Sequence, residues 1–73
     1  MENENKVSTL RKERVSRGLT LEIVSKAIGV SPVRVQSWEV GRTYPNIDSA
    51  FRLSKFYGKP LSKLFPELFI ANK

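Results

Sequence analysis

Thr20-Leu-Glu-Ile-Val-Ser-Lys-Ala-Ile-Gly-Val-Ser-Pro-Val-Arg-Val-Gln-Ser-Trp-Glu-Val40 holds two helices and the turn between them. Thr20 precedes an apolar-periodic run, so its hydroxyl caps a helix over Leu21 to Ile28, and Glu22 in the first turn suits the positive end of the helix dipole. Gly29 stops that helix. Ser31 caps the next, with Pro32 at its first position, where the missing N–H costs nothing; this helix reaches Val40. Two helices crossing at a steep angle need a small residue at their contact, a turn residue free to take positive φ, and apolar side chains facing inward. Ser25 is the small residue, Gly29 the turn residue, and Val24, Ile28, Val30, Val35 and Trp38 the inward set. If Val35 and Trp38 point inward, Val33, Gln36 and Ser37 point outward. A bare helical hairpin would show the same periodicity, so charge and flanking sequence must decide what the unit does.

On the N-terminal side the pattern predicts a helix from Lys6 to Arg17, capped by Asn3 or Asn5 and ended by Gly18, with a thin apolar side of Val7, Leu10 and Val15. On the C-terminal side Arg42 to Pro45 form a loop. Asn46 caps a fourth helix over Ile47 to Tyr57, in which Ile47, Ala50, Leu53, Ser54 and Tyr57 recur at helical spacing and Phe56 lies on the outer side. Gly58 closes that helix. Leu61 to Phe65 make one further turn and Pro66 interrupts it. No convincing alternating strand appears. Helices this short are marginal alone in water, so mutual packing must hold them. The expectation is an all-α, compact five-helix bundle over 6–65, preceded by a disordered acidic head (1–5) and followed by an apolar tail (66–73).

The chain has 73 residues, with no cysteine and no histidine. That length suits one domain. The missing residue types exclude disulfides, thiolate zinc sites, zinc fingers, His-based triads and Cys nucleophiles. The carboxylates are scattered and no Gly-rich phosphate loop is present, so no enzymatic activity, cofactor or metal is expected. Thirteen Lys and Arg against seven Asp and Glu give +6. Residues 1–5 contribute Glu2 and Glu4 and no base, whereas 6–65 hold twelve bases and four acids, a net +8. A compact surface this basic favours polyanions, nucleic acid first and anionic membrane second, over a merely solvated surface. No apolar run approaches the ~20 residues that span a bilayer, and Met1-Glu-Asn-Glu-Asn5 is not a secretory signal. A cytoplasmic location is expected.

The stretch Thr20 to Ser31, followed by Trp38-Glu-Val-Gly-Arg-Thr-Tyr-Pro45, resembles the Cro/cI-type (XRE) helix-turn-helix family of phage and bacterial transcriptional regulators. The resemblance covers about residues 6–65, and Glu39-x-Gly41-Arg42-x-x-Pro45 is its most specific block. It implies a lambda-repressor-like DNA-binding domain of five helices, the third lying in the major groove, and a two-fold homodimer on a pseudo-palindromic operator. It also implies that Arg14 and Glu39 form an architectural pair joining helices one and three. Thr20 and the start of helix two would face a phosphate. Ser31, Pro32, Val33, Gln36 and Ser37 would lie on the DNA side of helix three. Arg34 would reach a phosphate or a guanine. Arg42 and Tyr44 would hold backbone phosphates, with a solvated cation and loop packing as the plain alternatives. Three departures stand out. Leu21 occupies a position where the family often has Gln and cannot hydrogen-bond a phosphate. Pro32 and Val33 bring only apolar surface, so Val33 against a thymine methyl and Gln36 on adenine are the natural contacts, and DNA shape carries part of the specificity. Lys59 and Pro60 replace an apolar residue and a cap before helix five.

Leu64-Phe65-Pro-Glu-Leu68-Phe69-Ile70 is more apolar than a solvated terminus. Either the tail folds back to complete the core, or Phe65, Leu68, Phe69 and Ile70 form a dimer contact; the second is preferred because one helix-turn-helix reads few base pairs. No ligand-binding second domain is expected within these 73 residues, unless they are a fragment of a longer chain. The expected protein is a small bacterial or phage-encoded, nucleoid-associated Cro-like repressor, with an antitoxin-like module docking a protein partner through its tail as the alternative.

Overall fold

The computed structural model describes residues 8–69. Among them the chain forms α1 (Thr9–Ser16), α2 (Leu21–Ile28), α3 (Pro32–Glu39), α4 (Ile47–Tyr57) and α5 (Leu61–Leu64), followed by a single 3-10 turn, Pro66–Leu68, and no strand. Four helices start the same way: an extended residue whose side-chain oxygen accepts a backbone N–H three residues on. Thr20 accepts from Ile23, Ser31 from Arg34 and Asn46 from Ser49, as the sequence predicts. The first helix starts in the same way but at a different residue from the one expected. Its cap is Ser8, accepting from the Arg11 amide, so the helix begins at Thr9 and not at Lys6. Asn3, Asn5, Lys6 and Val7, like the rest of the 1–5 head, lie outside the described residues. Helix five begins after Pro60 without any side-chain cap, the consequence of Lys59-Pro60 at that junction.

The tight link between α2 and α3 depends on Gly29, whose φ of 92° lies in the left-handed region that side chains with a Cβ avoid. Ser25 is buried at the contact of the two helices, and its hydroxyl is satisfied internally by donating to the Glu22 carbonyl. All five helices feed one core. Leu10 comes from α1, Val24 and Ile28 from α2, Val35 and Trp38 from α3, Leu53 and Tyr57 from α4, and Leu64 from α5, with Val30, Leu21 and Phe56 half-buried against it. Phe56 thus packs partly inward rather than on an outer face.

Three apolar side chains sit differently from expectation. Val15 is five residues past Leu10, about 140° further around α1 at 3.6 residues per turn, and is exposed. Ile47 is six residues before Leu53, about 120° off the core line of α4, and is also exposed, while Ser49 takes the buried place. Phe65 is buried in the core as the chain leaves α5, which removes it from the dimer candidates.

α3 is tied to α1 by charge. Arg14 Nε and Nη2 donate to Glu39 Oε2 and Oε1 at 2.7 and 3.1 Å, and Nη1 donates to the Leu19 carbonyl at 3.0 Å. The Glu39 side chain is 3% exposed and that of Arg14 13%. The hydrogen bonds that Arg14 donates to Glu39 raise the Arg14 pKa further, against the opposing effect of burial. On the other side of α1, Glu13 accepts from Arg17 at 3.0 Å and Lys59 at 2.9 Å, linking α1 to the start of α5. These cations, Lys59 foremost, hold the Glu13 carboxyl below its usual range. Arg17 also donates to the Tyr57 carbonyl and lies 5.0 Å over the Tyr57 ring. The Tyr57 hydroxyl is buried with no hydrogen-bond partner among the described residues. Burial, then the nearby Glu39 charge, push its pKa up to about 12.

Removing one arm of a buried fork strands the other charge, at about 3–5 kcal/mol, out of a total near 4–11 kcal/mol for a chain this size. Arg14→Ala is therefore expected to lose about that much in urea unfolding, and the double variant Arg14→Met with Glu39→Leu to lose less than either single change. Tyr57 has a folded pKa above its unfolded value, so its contribution is intact below pH 10 and lost as pH rises toward about 12. Tyr57→Phe is expected to flatten that alkaline loss without lowering stability at pH 7, measured as the unfolding midpoint across the pH series.

Candidate nucleic-acid interface

The buried and exposed sides of α3 separate cleanly. Val35 is fully buried and Trp38 and Glu39 nearly so, whereas Val33 is 72% exposed and Arg34 and Gln36 are exposed with it. Ser37 and Pro32 are half-buried at the border. The outward set expected from the sequence is therefore assembled on one face, with Ser31 exposed at the start of the helix.

The caps remain chemically available. Thr20 and Ser31 each use an oxygen lone pair to accept an amide, which leaves the hydroxyl proton free to donate. In the first turn of α2 the Leu21 and Glu22 amides precede the capped one and point out of the helix end. Leu21 packs against the core, which accounts for an apolar residue at that position. The exposed Glu22 carboxylate stands in the same turn and works against an anion there.

Beyond α3 the chain turns at Gly41, with φ of 82°. The loop is then fastened to Ser37: the Arg42 and Thr43 amides donate to its carbonyl at 3.0 and 3.4 Å, and the Ser37 and Thr43 hydroxyls meet at 2.8 Å. Thr43 was not among the residues expected from the sequence. Its only local signal is a hydroxyl two residues past a turn glycine, and its partner becomes visible only with the loop in place. Arg42 projects from this loop, exposed, and neither it nor Arg34 has a carboxylate partner among the described residues. An open groove runs between α3 and the loop, walled by Val33, Arg34, Ser37, Thr43 and Tyr44 over the edge of Trp38.

Tyr44 is part of the groove but committed elsewhere. Its hydroxyl donates to Glu67 at 3.3 Å, and its ring meets Phe65 edge-on at 5.9 Å. Partial burial and the Glu67 carboxylate raise its pKa. A hydroxyl donating to a carboxylate is not a free phosphate donor, so Tyr44 braces the loop against the C-terminal turn. Arg14 and Glu39 lie inside the protein, away from this face, as an architectural pair. Leu68 and Phe69 are exposed, and Ile70 lies outside the described residues.

A family model described as helix-turn-helix matches residues 10–64. Among curated proteins, the chain is similar to the cryptic phage CTXphi transcriptional repressor RstR of Vibrio cholerae, with 37% identity over 57 residues, 78% of this chain and 51% of that protein. It is also similar to the HTH-type transcriptional activator BcrR of Enterococcus faecalis, with 33% identity over 55 residues, 75% of this chain and 27% of that protein. The chain thus spans about half the length of the first and about a quarter of the second. No solved structure matches at a significant level. Among the described residues no helix is long and apolar enough to cross a membrane.

The two faces of α3 can be told apart by stability alone. Val33→Ala is expected to change the unfolding free energy by no more than about 0.5 kcal/mol. Val35→Ala, at the buried position two residues on, should cost about 2–3 kcal/mol. Thermal or urea unfolding of the two variants checks the assignment.

Proposed function

Because the chain belongs to the helix-turn-helix family, we propose that it is a sequence-specific, double-stranded-DNA-binding transcriptional regulator of repressor type that inserts α3 into the major groove. The observation that carries this is the face of α3: Val33, Arg34 and Gln36 are exposed opposite buried Val35 and Trp38, beside a loop cation without an acidic partner among the described residues. Phosphate contacts from Arg42, the Thr20 hydroxyl and the start of α2 would position the protein. Base edges would be read by Gln36, by Val33 against a thymine methyl, and by Arg34 on guanine. The relatives carry the names of a repressor and an activator, both transcriptional regulators.

We further propose a homodimer on a pseudo-palindromic operator. Leu68 and Phe69, 53% and 56% exposed after α5, offer apolar surface that a second copy would cover. Two copies related by a two-fold would set their α3 helices about 34 Å apart on one side of the duplex.

Selection of bound duplexes from a random pool tests the whole reading: enrichment of a palindrome is expected, and equal binding to selected and random duplexes at physiological salt would refute it. Arg42→Ala should weaken binding to all sequences alike and flatten the salt slope by about one unit. Gln36→Ala should change preference at one base step, by about 1–3 kcal/mol if the contact is bidentate. L68S combined with F69S is expected to shift sedimentation from dimer to monomer; an intact dimer would return the tail to a protein-partner role.

A further inference from the structure

On the footing of the DNA-binding reading above, we propose that Ser37 and Thr43 act as a coupled hydroxyl pair. A phosphodiester oxygen bound at Thr43 fixes Ser37 as an acceptor, which then selects an exocyclic base amine. The two oxygens are 2.8 Å apart with either able to donate, and neither hydroxyl has a second partner among the described residues. Both border the groove between α3 and the loop. The Arg42 and Thr43 amides on the Ser37 carbonyl hold the two side chains in register.

The consequence follows from counting protons. Each hydroxyl has one proton and two lone pairs, and the bond between them consumes one proton. In one arrangement Ser37 donates, leaving Thr43 with an outward proton and Ser37 with outward lone pairs. In the other the roles reverse. A phosphate oxygen only accepts, so its binding at Thr43 selects the first arrangement. Thr43 is the member on the phosphate side, since it follows Arg42 in the loop. Arg34 and Arg42, without acidic partners among the described residues, draw an anionic backbone to this groove. Ser37, on α3, then presents lone pairs alone to the base edges. It accepts from adenine N6 or cytosine N4 and is disfavoured against guanine O6 or thymine O4. A lone serine pairs with either kind of base edge. The neighbouring threonine removes that ambiguity.

The test uses the full chain and its selected duplex. The diagnostic position is the one at which Ser37→Ala loses discrimination. There, adenine is replaced by hypoxanthine, or cytosine by uracil, with the opposite base matched, which sets a carbonyl acceptor where the amine stood. Wild type and Thr43→Ser are expected to lose about threefold to tenfold in affinity on that exchange, and Thr43→Val, whose uncoupled Ser37 hydroxyl can donate to the new acceptor, to lose little. The salt slope should be the same in all variants, since no charge is removed, and matching thermal melts report intact folding. If Thr43→Val keeps the full discrimination against the acceptor, the coupling is wrong and Thr43 is a loop brace only. A wild type selective for sequence but indifferent to this exchange at every Ser37-sensitive position would likewise end this proposal alone. A wild type that selects no duplex would end the DNA-binding reading with it.

Discussion

The rotation of α3 about its own axis is set by the Arg14–Glu39 fork, and the character of the outer surface follows from that rotation. Three donors of one planar guanidinium are used at once, two on the Glu39 carboxylate and one on the Leu19 carbonyl. α1, α3 and the link between α1 and α2 therefore meet in a single plane. A hydrophobic pair of similar volume can match a buried ion pair in stability but lacks its directionality. With Glu39 held inward beside Trp38 and Val35, helical geometry leaves Val33 and Gln36 no side but the outer one.

The cations divide into two sets. Arg14, Arg17, Arg52 and Lys59 are committed to carboxylates. Two of them also close helix ends: Arg17 donates to the Tyr57 carbonyl at the end of α4, and Arg52 to the Ile28 carbonyl at the end of α2. Positive groups there complement the helix dipole as well as the orphan carbonyls. Arg34 and Arg42 have no such commitment among the described residues, and both flank the outer face of α3. The high net charge of the chain is thus partly structural, and the two arginines that flank the α3 groove belong to the part without carboxylate partners among the described residues.

What the sequence made legible was local. Thr20, Ser31 and Asn46 stand immediately before periodic segments, and Gly29 and Gly58 immediately after, so caps and stops could be placed without knowing the fold. The Arg14–Glu39 pair joins residues distant in sequence and came only through resemblance to known regulators. The errors share one cause: burial decided by tertiary position. Asn3 and Asn5 are as good cap residues as Ser8 by type, so the sequence alone did not choose Ser8. Val15 and Ile47 are apolar but sit on helix flanks that stay exposed among the described residues. Phe65 lies past the end of α5, where no periodicity remains to show that the chain turns inward. Thr43 and the Tyr44–Glu67 contact depend on how a loop folds back, which has no sequence period.

The joint between α2 and α3 also bears on how quickly the molecule assembles. The two helices are adjacent in the chain and joined through a few residues around Gly29, so their pairing closes a small loop and needs little search. The fork between Arg14 and Glu39 spans 25 residues and brings α1 onto a unit already formed. Local pairing of this kind belongs to chains that collapse in about microseconds to milliseconds. Early pairing of the helical hairpin is what these sequence separations favour, and a latch that closed after the rate-limiting step would act mainly on how long a folded molecule lasts before it opens.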